Sequence, residues 1–241
     1  MKLKKLFGGR IYDVVSKQLI TRSIRKTIDF TQKSDRSFTA QSAVGFLFSD
    51  TAKYVRPWQH VEEIAQLAGV IEGKKPKVVL EIGTASGGTL FLAACLAAPD
   101  ALLVSIDLPH GLYGGGYPDW KIPLYKGFAQ KDQSIELLQG DSHSQNMFLQ
   151  LTRILGDKKI DYLFIDGDHT YEGVKQDFEM YGKLLAPGAI VAFHDIVSDK
   201  SEKPDHFVSV FWNEIKNKYR FQEFVKDKNQ SKLGLGVLEV S

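Results

Sequence analysis

Two acidic strand ends in the second half of the chain carry residues that can do acid–base or metal chemistry. The run FIDGDH places Asp166 at the end of an apolar segment and His169 three residues later, and AIVAFHD ends in His194 and Asp195. An imidazole titrates near neutral pH and can take a hydroxyl proton. Carboxylates at the carboxyl ends of adjacent parallel strands converge on one point, as a hard cation requires. These residues predict proton transfer, metal binding or both.

A glycine-rich segment, EIGTASGGT, follows an earlier apolar run. Gly83 and Gly87 allow a tight turn and a close approach of the backbone to a ligand, and the amides at the start of the next helix can donate to an anionic group. Asp107 ends the following apolar run, where a carboxylate can accept hydrogen bonds from a ribose diol. Nicotinamide, flavin and S-adenosylmethionine cofactors all fit these features.

Short apolar runs alternate with helical segments from Lys77 onwards. The runs VVLEI, LLVSID, IELLQ, YLFID and AIVAFHD are typical of parallel strands buried on both faces. Helices are predicted at 57–70, 88–97, 146–155 and 172–185. The first of them begins at Pro57, and the last is closed by Pro187 and Gly188. This alternation predicts a doubly wound α/β sheet.

The two ends of the chain depart from that alternation. A helix is predicted at 208–219, followed by two strands at 221–225 and 233–240, which take the place of a further strand–helix unit. We expect residues 1–50 to form a basic helical extension and residues 51–241 to form the catalytic domain. The segment 109–130 is long, rich in glycine and aromatic, and it predicts a substrate lid. The aromatic contacts of that lid would come from Tyr113, Tyr117, Trp120 and Tyr125.

Composition excludes several classes of protein. The chain has 241 residues, of which 43% are hydrophobic and 25% charged, as in ordinary globular domains. Cys95 is the only cysteine, which excludes an internal disulfide, and the sequence contains neither a membrane span nor a signal peptide, so a cytoplasmic location is expected. Eight Lys and Arg residues stand against one Asp in the first 26 residues. Such a run is more often a solvated helix face than a nucleic-acid site, and peripheral membrane contact stays open.

Residues 77–196 resemble the metal-dependent class I S-adenosylmethionine-dependent O-methyltransferases. The resemblance is particularly to the bacterial group related to macrocin and mycinamicin sugar O-methyltransferases and to cephalosporin hydroxylase. The resemblance rests on EIGTASGGT, SID, GDS and FIDGDHTYEGVKQDFEMYGKLLAPGAIVAFHD. It implies a Rossmann-like, mostly parallel seven-stranded sheet with an antiparallel C-terminal strand.

The resemblance also implies a site for S-adenosylmethionine. Its residues would be Glu81, Gly83, Thr84, Gly87, Asp107, Leu108, Asp141, Ser142 and Asp166. Asp141 follows the third strand, where this fold meets the adenine. Glu81 would either lie near the amino group of the cofactor or fix the glycine loop.

A divalent cation, magnesium or manganese, is implied as well, with Asp166, His194 and Asp195 as its ligands. Relatives more often have an oxygen ligand at the position of His194, so this imidazole is either a ligand for a softer metal or a residue behind the ligands. The sugar methyltransferases carry a catalytic histidine at the position of His169, so His169 and Asp166 are the predicted catalytic residues. The alternative for His169 is a packing role at the start of a helix.

The predicted function is therefore methyl transfer from S-adenosylmethionine to a hydroxyl of a small molecule or sugar. A cephalosporin-hydroxylase-like enzyme on the same scaffold and a non-catalytic cofactor-binding protein are the alternatives. A nicotinamide dehydrogenase fits less well, because the loop reads GxxxGG rather than GxGxxG. No nucleic-acid partner is expected, and the oligomeric state is open, a homo-oligomer included.

Overall fold

A computed structural model describes residues 9–32, 38–110, 116–197 and 207–241 of the chain, with the side chains of the first range described from Val14 onwards. Parts of the predicted extension, at 1–8 and 33–37, lie outside the described residues. The centre of the predicted lid, 111–115 with Tyr113, lies outside them too.

Seven strands form one sheet in the order β3-β2-β1-β4-β5-β7-β6. They are β1 Val78–Ile82, β2 Leu102–Asp107, β3 Ser134–Gln139, β4 Ile160–Ile165, β5 Leu185–His194, β6 Arg220–Phe224 and β7 Leu235–Val240. Strands β1 to β5 pair in parallel, and β7 pairs antiparallel to both β5 and β6. The predicted fold class, including the reversed C-terminal strand, is confirmed. The strand order reverses beside β1, which opens a crevice at the carboxyl ends of β1 and β4.

Helices cover both faces of the sheet. They are α1 Gly9–Gln32, α2 Ala40–Leu47, α3 Val61–Lys74, α4 Gly88–Leu96, α5 Ile122–Lys126, α6 Gln145–Leu155, α7 Tyr171–Tyr181 and α8 Val208–Ile215. Helices α1 to α5 pack on one face, around Leu47 and Phe91, and α6 to α8 on the other, around Leu151 and Trp212. Because the sheet is covered on both sides, β1 and β2 are buried along their whole length, which explains their uninterrupted apolar runs.

Side-chain caps fix where several of these helices begin. The hydroxyl groups of Thr39, Ser144 and Thr170 each accept a hydrogen bond from an amide in the first turn of α2, α6 and α7. The helix predicted at 57–70 begins later, at Val61, and runs on to Lys74. Pro57 instead lies against the start of α4, where a Cβ on Gly88 would be 2.6 Å from its Cδ.

The predicted end of the helix at 172–185 was wrong. Helix α7 ends at Tyr181, a 3-10 turn covers Gly182–Leu184, and Pro187 and Gly188 lie inside β5. The proline is tolerated there because the pairing of β4 with β5 is interrupted between Leu185 and Ile190, and the pairing with β7 begins only at Ala189.

Tyr117 and Tyr125, in the described part of the predicted lid, are packed in the core, so the lid prediction was wrong for these two residues. The Tyr117 hydroxyl donates to the carbonyls of Ser105 and Leu138, at 2.9 and 2.8 Å. The Tyr125 side chain is buried in α5 and its hydroxyl donates to the Ser86 carbonyl at 2.8 Å. Tyr117 thus anchors the segment to β2 and β3, and Tyr125 anchors it to the loop between β1 and α4.

Within the described ranges, no helix combines the length and the apolar character that crossing a bilayer would require.

Candidate active site

The glycine loop between β1 and α4 is shaped by contacts within the protein. Gly83 has a φ of 87°, and a Cβ there would lie 2.0 Å from the carbonyl oxygen of Asp166. Gly87 also has a φ of 87°, and a Cβ there would lie 2.9 Å from the ring of Tyr125. Both positions require glycine. The close approach expected toward a ligand is, in this structure, an approach toward Asp166 and Tyr125.

Glu81 is buried in β1 directly beneath this loop. Its carboxylate hydrogen-bonds to the side chains of Thr84 and Thr89, and burial raises its pKa to about 8. The Thr84 hydroxyl also hydrogen-bonds to Ser105 on β2. These contacts are the ones expected of a residue that fixes the glycine loop. The Oε1 atom of Glu81 has no hydrogen-bond partner among the described residues, so it can still accept from a ligand.

Asp107 ends β2, beside the glycine loop. Burial raises the pKa of its carboxyl group, and hydrogen bonds from the backbone N–H groups of Gly116 and Leu108 oppose that effect. Its Oδ2 atom is buried and, within the part of the chain that is described, has no hydrogen-bond partner. A ribose hydroxyl would satisfy this acceptor. The side chain of Leu108 is exposed next to it.

Asp141 and Ser142 begin a turn after β3 that is fastened to α7. The Oδ1 atom of Asp141 accepts from the His143 amide at 2.9 Å, and the Tyr181 hydroxyl donates to the Ser142 carbonyl at 2.6 Å. The Nε2 atom of His143 lies 3.3 Å from Oδ1 of the buried Asp177. The Asp177 carboxylate accepts a hydrogen bond from the imidazole and raises the pKa of His143 to about 9. The turn is therefore held by an ion pair.

Asp166, His169 and Asp195 come together at the carboxyl ends of β4 and β5. Each offers one ligand atom, and these atoms all lie within 4.8 Å of one another. The Nδ1 atom of His169 is 2.8 Å from Oδ2 of Asp195, and its Nε2 atom is 3.8 Å from Oδ1 of Asp166. Asp195 has a φ of 57°, a left-handed conformation that often marks functional positions. Two carboxylates and an imidazole in this arrangement can hold a divalent cation or move a proton.

His194 is not a member of that group. It is the last residue of β5 and is buried, and its Nδ1 atom lies 2.9 Å from Oδ1 of Asp166. Burial alone would lower the pKa of His194, but the charge and hydrogen bond of Asp166 outweigh it and raise the pKa to about 9. The same Nδ1 atom lies 3.4 Å from Oδ1 of Asp195, so His194 contacts both carboxylates. Of the predicted metal ligands, Asp166 and Asp195 lie together, and the third member is His169.

Two supporting residues were missed by the sequence reasoning. Asp177 holds His143, as described above. Glu63 is buried in α3 and accepts hydrogen bonds from the side chain of Gln230 and from the amides of Lys226 and Gly234. Both carboxylates lie on helix faces that otherwise pack into the core, and that placement is the only signal the sequence offers.

The segment that carries the candidate site residues is similar to known proteins. Residues 80–196, from β1 to the turn after β5, match the family model described as a methyltransferase domain. This segment is therefore similar to a methyltransferase domain. The glycine loop, Asp107, Asp141 and the cluster of Asp166, His169 and Asp195 all lie inside it.

Solved structures share the fold of the methyltransferase domain at low sequence identity. An O-methyltransferase from Bacillus cereus in complex with S-adenosylhomocysteine is 17% identical, with a TM-score of 0.58, and the match covers 89% of this chain and 100% of that one. An O-methyltransferase from Streptomyces achromogenes in complex with S-adenosylmethionine is 17% identical, covers 83% and 90%, and has a TM-score of 0.54. A caffeoyl-CoA O-methyltransferase from Staphylococcus aureus, itself assigned only provisionally, is 21% identical, covers 90% and 99%, and also has a TM-score of 0.54.

Curated relatives match only part of this chain. An uncharacterized protein of Sinorhizobium fredii is 26% identical over 151 residues, which are 61% of this chain and 16% of that protein. An uncharacterized protein of Acanthamoeba polyphaga mimivirus is 29% identical over 136 residues, 56% of this chain and 58% of that protein. The chain thus spans less than two thirds of the length of either relative.

Proposed function

We propose that the chain transfers the methyl group of S-adenosylmethionine to a hydroxyl oxygen of a small molecule or sugar. The observation that carries the proposal is the gathering of two carboxylates and an imidazole at the crevice of a methyltransferase domain. Methyl transfer to oxygen requires that the acceptor lose a proton, and this cluster is the group of side chains suited to receive it. The structural neighbours named above are O-methyltransferases, which agrees with an oxygen acceptor.

The cofactor is proposed to fill the buried acceptors beside the glycine loop. Oδ2 of Asp107 would accept from the ribose hydroxyls, and Oε1 of Glu81 from the amino group. The turn at Asp141 and Ser142, fastened to α7, would lie against the adenine. Each orphaned oxygen then gains the hydrogen bond that its burial requires.

Asp166 and Asp195 are proposed to hold a divalent cation. Carboxylate oxygens are ligands that magnesium and manganese prefer, and the left-handed backbone at Asp195 keeps the second carboxylate beside the first. Such a cation, when bound, supplies positive charge that makes the acceptor hydroxyl more acidic. His194 is proposed to hold Asp166 in place from behind through the contact at 2.9 Å.

His169 is proposed to be the general base. The 2.8 Å contact with Asp195 orients the ring through Nδ1, which leaves Nε2 to take the hydroxyl proton. As the acceptor oxygen bonds to the methyl carbon, the carbon–sulfur bond breaks and its electron pair stays on sulfur. A second candidate role has its own support, because His169 is itself one of the three residues placed to bind a cation.

Calorimetry and turnover test the proposal together. S-adenosylmethionine should bind the purified chain, and a panel of small hydroxyl compounds and sugars should yield S-adenosylhomocysteine with at least one acceptor. A chelator should abolish that turnover and leave cofactor binding nearly intact. Absence of cofactor binding would refute the function as a whole, and full turnover in chelator would remove only the cation.

A further inference from the structure

The stretch of α1 from Val14 to Arg22 is poorly covered by the rest of the protein. Helix α1 runs over Gly9–Gln32, about 36 Å at 1.5 Å per residue. Its buried side chains, Ser23, Ile24, Thr27 and Thr31, all lie in the second half, which packs against α5 and the 3-10 turn at Asp50–Ala52. From Val14 to Arg22 no side chain is buried. Helix α1 therefore presents its side chains from Val14 to Arg22 largely to its surroundings.

Large apolar side chains are exposed on that stretch. Val14, Val15 and Leu19 are 57%, 47% and 45% exposed. They are three of the nine large apolar side chains exposed among the described residues, and they fall within six positions of one helix. Scattered exposed apolar residues are ordinary, but a group of this kind marks a surface that contacts something apolar.

Cationic residues continue the same face. Val15, Leu19, Arg22 and Lys26 follow one another at spacings of four, three and four, so they form one stripe along the outside of α1. Arg25 is exposed beside this stripe. Lys17 is turned toward the domain, where its ammonium group lies 5.4 Å from the centroid of the Trp120 ring. From Val14 onwards, the outer face of α1 thus begins with apolar side chains and continues with cationic ones, followed by the exposed Asp29.

We propose that this outer face of α1 docks on an anionic membrane surface, with Val14, Val15 and Leu19 in the interfacial layer and Arg22, Arg25 and Lys26 against the lipid headgroups. An interfacial helix combines these two kinds of side chain on one face, because apolar burial and attraction to anionic lipid both add to its binding. The sequence before Val14 adds four further Lys and Arg residues and one Asp.

Two other occupants fit the same face less well. A nucleic acid would pair with the cations but would leave the apolar group in water. A second copy of this chain that covered the whole face would bring two sets of Arg22, Arg25 and Lys26 into one interface, where like charges repel. An anionic lipid surface satisfies both halves of the stripe.

Vesicle sedimentation with the full chain tests the proposal. The wild type should sediment at low salt with vesicles of phosphatidylcholine mixed with phosphatidylserine, should sediment poorly with phosphatidylcholine alone, and should be released as salt increases. The triple variant Arg22→Gln, Arg25→Gln, Lys26→Gln should bind the mixed vesicles at least about tenfold more weakly. The double variant Val15→Ser, Leu19→Ser should also lose affinity, on the order of tenfold.

A matched control removes the same number of charges elsewhere. Lys158, Lys159 and Lys183 are exposed and distant in sequence from α1, and their triple replacement by Gln should leave vesicle binding unchanged. Calorimetry with S-adenosylmethionine on every variant reports the cofactor site separately, so failure of membrane docking and failure of the proposed function are distinguishable. The proposal is overturned if the wild type ignores mixed vesicles, or if the control loses as much binding as the α1 variant. It is also overturned if the α1 variant changes only the oligomeric state or the binding of nucleic acid.

Discussion

The imidazole of His169 lies between the carboxylates of Asp166 and Asp195. This position allows it to act as a base or as a cation ligand, but one nitrogen atom cannot do both at once. As a base, the ring uses Nδ1 to contact Asp195 and Nε2 to accept the proton. As a cation ligand, it commits one nitrogen to the metal. Burial alone would lower the pKa of His169, but the hydrogen bond to Asp195 and the charge of Asp166 outweigh it, so the net shift is upward.

Replacement of His169 separates these roles. If it is the base, His169→Ala should lower kcat by on the order of a hundredfold or more, and the remaining rate should rise with pH as hydroxide replaces the imidazole. Cation affinity, followed by titration of manganese, should then stay close to that of the wild type. A large loss of manganese affinity would assign His169 to the ligands instead, and unchanged turnover would leave it a packing role.

The orphaned oxygen of Asp107 gives a prediction about the cofactor. Asp107→Ala should weaken S-adenosylmethionine binding by about 1.5–3 kcal/mol, because a charge-assisted hydrogen bond to the ribose is lost. Calorimetry measures the loss, and Asp132→Ala, at an exposed position before β3, is the matched control. Wild-type affinity in a folded Asp107→Ala variant would contradict the ribose assignment.

Among the elements, the close approach of the segments that follow β1 and β4 depends on Gly83, which has no side chain. Gly83→Ala should lower the free energy of unfolding by about 3 kcal/mol or more, because the new Cβ meets the Asp166 carbonyl and φ is positive. Gly69→Ala, inside α3 with open space around it, should raise the same free energy by up to about 1 kcal/mol. Urea unfolding of both variants measures the contrast. Equal effects would mean that the contact at Gly83 is not tight.

The turn after β3 and helix α7 are joined by the pair of His143 and Asp177, which makes their attachment depend on pH. The pKa of His143 is raised by Asp177 to about 9 from the ordinary 6.5, and burial raises that of Asp177. A raised pKa means that the folded chain holds the proton more tightly, so the stabilisation is complete below pH 6.5 and is lost as pH rises through about 9.

Urea unfolding on both sides of that window should therefore show a loss on the order of 2 kcal/mol at the higher pH. His143→Gln should flatten the dependence, whereas His110→Gln, at an exposed position outside the pair, should not. A steep dependence that persists in His143→Gln would place its source elsewhere.

The sequence predicted an element well where the evidence lies in the element's own residues, and poorly where it lies in distant ones. The bounds of β1 and β2 were predicted to the residue, because a strand covered on both faces must be apolar throughout, and those of β3, β4 and β5 were predicted within four residues. The end of α7 was predicted wrongly because Pro187 is tolerated where β5 is unpaired, and pairing is a property of the neighbouring strand. The packing of Tyr117 and Tyr125 likewise depends on distant carbonyl groups, which no local pattern reveals.

The candidate site shows the same limit. Strand-end spacing was enough to place Asp166 and Asp195 together, because parallel strands end at one edge. It was not enough to predict which of His169 and His194 joins the two carboxylates. The direction of each ring depends on the backbone angles at Asp195 and on the burial around His194. The roles of cation and base stay predictions.

At the scale of the whole molecule, the matched domain ends at residue 196, and the sheet is completed by segments outside it. Glu63 on α3 binds the backbone of the loop between β6 and β7, so a helix before the matched domain and a hairpin after it brace one another. The site residues come from the shared core of the fold, whereas α1 and this brace belong to the parts that the family model does not cover.

The insertion of β7 between β5 and β6 has a consequence for synthesis on the ribosome. Strand β5, which leads into Asp195, pairs with β7 on its second edge, and β7 is translated about 40 residues later. Until residues 235–240 have left the exit tunnel, that edge of the nascent sheet is open. A chain stalled before that point would carry all the catalytic candidates yet leave the backbone beneath them half paired. Chaperones that recognise unpaired strand edges would have their opportunity in that interval.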